Sequence, residues 1–197
     1  MHDILICAAT ALESRLLSES YQVLETGVGS VNAAYALTKY LQTRRPSGIV
    51  VCGIGGAYPA SGLNIGDVCA AESESYGDLG VETPTGFLTV RELGFAALDV
   101  DQIPMQLFPH ARRLPFVTVN TCSGTNDLSS RIQARTNGAV ESMEGAAIAH
   151  VAARERIPCG EIRGISNFTG DRDRSTWRVR EAAEAAQQAL LEWLTTH

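Results

Sequence analysis

Short apolar runs of strand length alternate with stretches of helical spacing along most of this 197-residue chain. The apolar runs lie at residues 3–9, 22–26, 49–54, 114–120, 139–143 and 159–167. Helical spacing predicts helices at residues 11–18, 31–43, 126–135, 145–156 and 176–194. A strand that returns to its sheet through a helix becomes a parallel neighbour. The alternation therefore predicts an α/β fold with a largely parallel sheet.

The pattern changes between residues 66 and 94. Strand-like residues 67–72 lead into a stretch rich in glycine, glutamate and threonine that has no helical period. We expect antiparallel strands or loops to be inserted there, and residues 103–113 are ambiguous. No linker, repeat or low-complexity tract divides the chain, so we expect residues 1–197 to form one domain.

Composition disfavours several classes of partner. The net charge is -6 and the chain has no run of lysine or arginine, which argues against binding to nucleic acid or to an anionic membrane. No apolar run approaches the roughly 18 residues needed to span a bilayer. The chain does not open with a basic segment followed by an apolar one. We therefore expect a cytoplasmic protein without a signal peptide.

Cysteine and histidine usage points to neither disulfides nor metal. Five cysteines are scattered at positions 7, 52, 69, 122 and 159, without a CxxC pair. Buried, reduced thiols are the expected state of such cysteines in a cytoplasmic protein. The four histidines show no ligand spacing, and we predict no metal site and no cofactor.

Two predicted strands end in polar residues. Glu144 follows the run at 139–143 and precedes an alanine-rich helix, so we expect it to be partly buried and to need partners. The run at 159–167 ends in Ser166 and Asn167. Sites on α/β sheets form at such strand ends. One strand end is suited to hold the hydroxyls of a sugar and the other the edge of a base.

Two glycine-containing segments each allow two interpretations. Residues 27–32, GVGSVN, suggest a dinucleotide site, but Asn32 replaces the third glycine and no acidic residue ends the next strand. A tight turn with free amides at a helix N-terminus is favoured instead. Gly53, Ile54, Gly55 and Gly56 end a central strand, where glycines permit either close packing or the approach of a flat ligand to the backbone.

Glu13 and the loop at 170–175 are similarly open to a structural and a functional interpretation. A lone glutamate on a short helix is typical of a solvated surface. Glu13 and Glu144 are, however, two carboxylates near strand ends, so that one can bind hydroxyls while the other activates water. The charge-alternating loop GDRDRS is either a solvated turn or a lid whose arginine meets an anionic substrate. Trp177 beside it belongs to the core or to that lid.

Five segments, taken in order, resemble the family of purine nucleoside phosphorylases and methylthioadenosine/S-adenosylhomocysteine nucleosidases. They are AATALE, ETGVGSVNAA, GIGGAY with its following GDV, ESMEGAAIAHV and GISN. The resemblance implies a single-domain, three-layer αβα fold with a central mixed, largely parallel sheet. It also implies a purine nucleoside substrate and, because a neighbouring subunit often completes the site in this family, a homo-oligomer of two or more subunits.

The resemblance also implies roles for single residues. Glu13 matches the carboxylate that activates the attacking water, and Glu144 matches the residue that binds the ribose 2′- and 3′-hydroxyls. Asn167, next to Ser166, matches the position that contacts the N7 edge of the purine. The remaining implied contacts to the base, the sugar and the pocket wall are made by Gly53, Ile54, Gly55, Met143 and Trp177.

Two departures from the family pattern refine the expectation. Adenine-specific members carry aspartate where this chain has Asn167, and an amide that donates and accepts suits a 6-oxopurine better than adenine. Phosphorylases of the family carry an arginine near the position of Glu13. A carboxylate there would repel phosphate, so water is the expected nucleophile. Arg15 lies close by in the sequence, so phosphorolysis stays open.

A narrower resemblance, to the futalosine hydrolases, lies in two segments. They are YGDLGVE at residues 76–82, with Gly86-Phe87 beyond, and SNFTGDRDR at residues 166–174. This resemblance implies release of hypoxanthine from futalosine in menaquinone biosynthesis. Because futalosine carries an aryl carboxylate on its 5′ extension, we expect an arginine such as Arg172 or Arg174 to meet that anion. The alternatives are a methylthioadenosine/S-adenosylhomocysteine nucleosidase, a phosphate-dependent phosphorylase and a nucleoside-binding module without activity.

Overall fold

Ten strands and four α-helices are formed by the residues that this computed structural model describes, 3–95 and 101–196. The strands are β1 Ile4–Ala8, β2 Val23–Glu25, β3 Gly48–Ala57, β4 Val68–Tyr76, β5 Gly80–Thr83, β6 Gly86–Thr89, β7 Gln102–Pro104, β8 Arg112–Thr118, β9 Val140–Ser142 and β10 Cys159–Phe168. The helices are α1 Ser30–Leu41, α2 Asn126–Thr136, α3 Gly145–Glu155 and α4 Val179–Thr196. Within these residues, no helix is both long and apolar enough to cross a bilayer.

The main sheet is mixed and closes on itself. Its strand order is β10-β4-β8-β9-β3-β1-β2, with β7 on β4, and β10 pairs with both β3 and β4. Parallel pairing joins β1 to β2 and β3, β10 to β3, and β8 to β4 and β9. The other pairs are antiparallel. This arrangement confirms the predicted mixed, largely parallel sheet, but its closure depends on pairings between distant strands that periodicity does not reveal.

Helices cover both faces of the sheet because successive strand residues point to opposite sides. Leu5 and Cys7 of β1 pack in the core cluster that contains residues of α1 and α3. Ile6, between them, packs in the cluster that contains Ala186 and Leu190 of α4. The fold is therefore α/β with a helical layer on each face, as the resemblance implies.

The inserted segment and the cysteines differ in part from the expectations. Strands β5 and β6 form an antiparallel hairpin, which confirms inserted strands between residues 66 and 94. The ambiguous residues 103–113 supply most of β7 and the start of β8. Four cysteines are buried as predicted, whereas Cys122 is exposed because it lies in the loop between β8 and α2.

The helix predicted at residues 11–18 is only a 3-10 turn, Ala11–Glu13, followed by further turns. The amide of Gln187 in α4 provides the physical reason. Its Oε1 accepts from Leu16 N–H at 2.9 Å, and its Nε2 donates to the Leu12 carbonyl at 3.1 Å. These tertiary hydrogen bonds replace helical ones, so packing overrides the local preference.

Candidate active site

A cavity of about 400 Å³ opens where the ends of β1, β3, β9 and β10 meet. Eight of the nine residues predicted for the site line it: Glu13, Ile54, Gly55, Met143, Glu144, Ser166, Asn167 and Trp177. The ninth, Gly53, lies behind the wall. A Cβ there would stand 2.5 Å from Glu13 Oε1 and 2.6 Å from Arg163 Nη1. The absence of a side chain at Gly53 therefore leaves room for those of Glu13 and Arg163.

Glu13 is buried, with 5% of its surface exposed, and both of its carboxylate oxygens accept hydrogen bonds. Thr10 Oγ1 donates to Oε2 at 2.8 Å, and Ile54 N–H donates to Oε1 at 3.0 Å. The Ile54 amide is available because one edge of β3 pairs with β1 only up to Val51 and with β9 only from Gly56. This environment rules out the solvated interpretation of Glu13 and fixes its carboxylate at the cavity wall.

Glu144 lies between β9 and α3, and the turn before α1 reaches it. Gly29 N–H donates to Glu144 Oε1 at 2.9 Å, and Gly29 adopts a φ of 94°, which glycine tolerates. The segment GVGS therefore presents an amide at a helix N-terminus, as the sequence predicts, and binds a carboxylate of this chain. Burial raises the pKa of Glu144, while Arg163 and the Gly29 amide act in the opposite direction.

Arg163 contacts Glu144 and is influenced by the charge of Glu13, and the sequence analysis did not identify it. Only 2% of Arg163 is exposed. Its Nη1 donates to the Ile54 carbonyl at 3.1 Å, and its Nη2 lies 3.5 Å from Glu144 Oε2. Burial by itself would lower the pKa of Arg163, but the carboxylates of Glu161, Glu144 and Glu13 together raise it. The guanidinium is therefore a permanent positive charge at the cavity wall.

The signal that could have revealed Arg163 is its place in the strand. Glu161 and Arg163 stand two residues apart within an apolar run, so they lie on the same face of β10. Charged residues are almost never fully buried unless they are paired. The Nε of Arg163 does donate to Glu161 Oε1, at 2.6 Å.

Asn167 follows a bulge that interrupts the pairing of β10 with β3 between Ile165 and Asn167. Such a bulge changes the direction of the neighbouring side chains. Ser166 Oγ donates to Asn167 Oδ1 at 2.7 Å, and Asn167 Nδ2 donates to the Phe168 carbonyl at 2.9 Å. An amide has two N–H donors and two acceptor lone pairs, so one of each is left for a ligand.

The charged loop at 170–175 is tied to the start of α2. Asp171 accepts from the backbone amide of Asn126 at 3.0 Å and from its Nδ2 at 2.6 Å. The guanidinium of Arg172 lies 4.6 Å from the centre of the Trp177 ring, and both residues line the cavity. Arg174 lies 5.8 Å from the same ring but does not line the cavity. Of the two predicted arginines, Arg172 is thus the one placed to meet a ligand.

Cys122 and Ser123 also line the cavity. Ser123 N–H donates to Glu141 Oε1 at 2.8 Å, and Tyr58 Oη donates to Glu141 Oε2 at 2.8 Å. Glu141 therefore anchors this wall from within the protein. Together, the cavity wall carries three buried carboxylates, two guanidinium groups and one amide, which suits a ligand with hydroxyls and a polar flat edge.

Comparison with known families decides the relationship. Residues 14–195 match the phosphorylase superfamily. The chain belongs to this superfamily. The match covers all four α-helices except the last residue of α4. Of the elements that build the cavity, β1 and the Ala11–Glu13 turn lie before the matched residues.

Relatives of this superfamily member cover most of the chain. The futalosine hydrolase of Streptomyces coelicolor is 35% identical over 187 residues, which cover 88% of this chain and 78% of that protein. The futalosine hydrolase of Thermus thermophilus is 31% identical over 191 residues, which cover 89% and 81%. A 5′-methylthioadenosine/S-adenosylhomocysteine nucleosidase of Haemophilus influenzae is 25% identical over 174 residues, which cover 82% and 74%. These relatives confirm the predicted family and the predicted enzyme class, a nucleosidase.

Solved structures agree with the fold of this superfamily member. The S-adenosylhomocysteine nucleosidase of Streptococcus pyogenes, in complex with 5-methylthiotubericidin, gives a TM-score of 0.85 at 20% identity and covers 99% of this chain and 97% of its own. The futalosine hydrolase of Helicobacter pylori gives 0.84 at 14% identity and covers 98% and 97%. These similarities confirm the predicted nucleoside phosphorylase-like fold class.

Proposed function

We propose that this nucleosidase hydrolyses the N-ribosidic bond of futalosine and releases hypoxanthine. The observation that carries the proposal is the single cavity shared by Glu13, Glu144 and Asn167. The futalosine hydrolases of Streptomyces coelicolor and Thermus thermophilus, at 35% and 31% identity, support futalosine as the substrate. The product, a purine with a 6-oxo group, follows from the amide at Asn167. Cytoplasmic menaquinone biosynthesis is the proposed setting.

In this mechanism Glu13 polarises the attacking water. Its carboxylate keeps acceptor capacity beyond the bonds from Thr10 and Ile54, because a carboxylate has about four lone-pair sites. Water approaches the anomeric carbon as the bond to the base breaks, and the sugar takes on the character of an oxocarbenium ion. The negative charge of Glu13 favours that cationic sugar. Fixed charges of this kind are usually the largest contribution to catalysis.

Glu144 binds the ribose 2′- and 3′-hydroxyls in the proposed complex. Gly29 N–H occupies one lone pair of Oε1 and Arg163 approaches Oε2, which leaves acceptor sites on both oxygens. Met143 adjoins Glu144 in the cavity wall and supplies an apolar surface for the sugar. The base then lies between Ile54 and Gly55 of β3 and the end of β10.

Asn167 selects the base in this proposal. Its free N–H donates to the 6-oxo group and its free lone pair accepts from N7–H as hypoxanthine departs. Adenine has an amino group at the same position, so its N–H donor would face the N–H donor of Asn167. Sites that hydrogen-bond a substrate discriminate strongly against mismatched analogues. The cationic Arg172 beside Trp177 is suited to the aryl carboxylate on the 5′ extension of futalosine.

Water rather than phosphate is the proposed nucleophile. Arg15, the residue that kept phosphorolysis open, is half-exposed and pairs with Glu184 of α4 outside the cavity. Arg163 does reach the cavity, but its charge is already engaged by Glu161 and Glu144. A phosphate anion at the proposed position of the water would therefore meet the negative charges of Glu13 and Glu144.

We also propose a homo-oligomer in which a second copy approaches the mouth of the cavity. Val28 lines the cavity yet is largely exposed, and Val31 and Tyr35 extend the exposed apolar surface along the first turns of α1. A contiguous apolar surface of this kind is typical of a subunit contact. Sedimentation of the purified protein tests this part of the proposal, and a monomer at micromolar concentration would refute it.

Incubation of the purified protein with futalosine, inosine and methylthioadenosine in phosphate-free buffer tests the function. Free base is followed by chromatography, and the expected product is hypoxanthine from futalosine. Adenine from methylthioadenosine would establish the rival nucleosidase activity. A strict requirement for phosphate would establish a phosphorylase. Binding of futalosine without turnover would show a module that lacks activity.

A further inference from the structure

A second pair of carboxyl groups lies directly behind the candidate active site. Glu74 of β4 and Glu161 of β10 are both fully buried. Two of their oxygens, Glu74 Oε1 and Glu161 Oε2, have no hydrogen-bond partner among the described residues. Both oxygens lie beside Gly145 at the start of α3, because a Cβ on that glycine would overlap with each of them. The two oxygens without partners therefore face each other.

The other two oxygens of the pair already have donors. Thr118 Oγ1 donates to Glu74 Oε2 at 3.0 Å, and Thr118 itself accepts from Ala146 N–H at 2.7 Å. Arg163 Nε donates to Glu161 Oε1 at 2.6 Å. A single proton between the facing oxygens completes the hydrogen bonding of all four atoms. Two bare carboxylates in this position would instead leave two buried lone pairs in direct repulsion.

The distribution of charge places this proton on Glu74. Burial raises the pKa of Glu74 well above its usual value, and the charge of Glu161 raises it further, while Arg163 and Thr118 oppose the shift. Arg163 contacts Glu161 directly, so its positive charge favours a proton on Glu74. The charges of Glu144 and Glu13 act on the same guanidinium.

The other titratable groups around the pair stay neutral near pH 7. Burial raises the pKa of the Cys52 and Cys69 thiols to about 12 and that of the Tyr76 phenol to about 12. The Cys159 thiol is shifted upward as well, again by burial. From α3, His150 contacts the Tyr76 hydroxyl rather than the pair, and burial lowers its pKa.

We propose that Glu74 and Glu161 share one proton and act as positioning residues that hold Arg163 between the two carboxylates of the active site. Glu161 binds Nε, which leaves Nη1 for the Ile54 carbonyl and Nη2 for Glu144. Without the charge of Glu161, the guanidinium would be drawn toward Glu13 and Glu144 and would compete with water and ribose for their lone pairs. This part of the inference rests on the proposed function.

The first test uses the pH dependence of the free energy of unfolding to count the protons released on unfolding, and it does not depend on any substrate. The folded-state pKa of Glu74 is raised, so above the usual glutamate pKa the folded protein holds a proton that the unfolded chain has released. The free energy of unfolding of the wild type should therefore fall relative to that of Glu74→Gln as the pH rises, with a slope of one proton. The difference stops growing once the pH passes the folded-state pKa.

Denaturant unfolding at a series of pH values between 5 and 9 measures this difference. The exposed Glu19 offers the matched control, because Glu19→Gln makes the same chemical change at the surface and should give a curve parallel to the wild type. Parallel curves for the wild type and Glu74→Gln would overturn the shared proton.

The second test separates the donor from the side-chain volume. In Glu74→Gln, the amide N–H replaces the shared proton and kcat/KM should stay within about threefold of the wild type. In Glu74→Met, the donor is lost and kcat/KM should fall about tenfold or more, as expected when a hydrogen bond to a charged group is removed. Full activity of Glu74→Met would refute the positioning role, and equal losses in both variants would refute the rescue by a donor.

The two tests keep this inference separate from the proposed function. If futalosine is not cleaved, the activity comparison moves to whichever nucleoside the protein does hydrolyse, while the proton count is unaffected. If Glu74→Met does not fold, the unfolding curves of the wild type and Glu74→Gln still decide whether the proton is shared.

Discussion

Replacing Gly53 by alanine would insert one methyl group between the two side chains that the Ile54 peptide holds in place. The added Cβ would lie 2.5 Å from Glu13 Oε1 and 2.6 Å from Arg163 Nη1, where ordinary contact begins at 3.4 Å. Each group must therefore move by about 1 Å. A displacement of that size in a catalytic group can cost about 100-fold in rate. We expect kcat/KM of Gly53→Ala to fall by about two orders of magnitude.

The same substitution should have only a small effect on stability. The groups that must move are the ends of flexible side chains, so the backbone of β3 can stay in place. Weakening of the hydrogen bonds from Ile54 N–H to Glu13 and from Arg163 to the Ile54 carbonyl costs about 1 kcal/mol each. Replacement of glycine by alanine restricts the unfolded chain and returns about 0.4–1 kcal/mol. A net loss of about 1 kcal/mol corresponds to a fall in Tm of roughly 2–4 °C.

Steady-state kinetics with futalosine and a thermal melt of the same preparation measure both effects. Gly124→Ala is the matched control, because a Cβ there meets, among the described residues, only the Cys122 carbonyl, at 3.9 Å. That variant should match the wild type in both assays. Full activity in Gly53→Ala would refute the inferred crowding of Glu13 and Arg163. A fall in Tm far larger than predicted would show that the backbone of β3, rather than the two side-chain ends, absorbs the methyl group.

Four further predictions concern the residues that line the cavity. Glu13→Gln keeps the shape of the side chain but removes the base, so kcat should fall by roughly 100- to 10,000-fold in a chromatographic assay, and unchanged kcat would exclude the role. Burial raises the pKa of Glu144, and its ionised form binds the ribose. As the pH is lowered, kcat/KM should therefore begin to fall at a pH above the usual glutamate pKa of about 4.3. An acid limb at or below that value would contradict this assignment. Asn167→Asp should shift the ratio of kcat/KM between futalosine and its 6-amino analogue by at least about 100-fold toward the amino compound, and an unchanged ratio would place base selection elsewhere. Arg172→Ala should raise KM for futalosine by about tenfold and leave KM for inosine, which lacks the aryl carboxylate, within about twofold, whereas equal effects on both would remove the proposed contact.

The sequence predicts the buried strands well because their signal is local. The runs that become β1 and β3 are apolar on both faces, and the run that becomes β10 is apolar at its start apart from Glu161 and Arg163. Each of the three is covered on both sides in the structure. Glu144 and Asn167 were found by the same reasoning, since each interrupts such a run at its end. The same reasoning did not find the 3-10 turn at Ala11–Glu13, because Gln187, more than 170 residues away in the sequence, binds the backbone around this turn.

Arg163 and the pair behind it depend on information that is not local. Glu74 and Glu161 come from strands that become neighbours only when β10 pairs with β4 as well as with β3. Closure of the sheet is thus what brings a second carboxyl group to Glu161. The sequence does carry a partial signal, because Glu161 and Arg163 stand two residues apart in an apolar strand. This spacing indicates a buried ion pair, but it does not identify Glu74 and Glu144 as further members of the cluster.

A gap in the pairing of one strand connects the fold to the proposed chemistry. Between Val51 and Gly56, one edge of β3 has passed β1 and has not yet reached β9. A buried peptide at such an edge must find hydrogen bonds outside the sheet. Ile54 finds them in Glu13 and Arg163, which occupy the place that a neighbouring strand would otherwise fill. The hydrogen-bonding requirement of the Ile54 peptide therefore holds both side chains in place. This explains how Glu13, on a short turn rather than on a helix or strand, can be positioned as rigidly as catalysis requires.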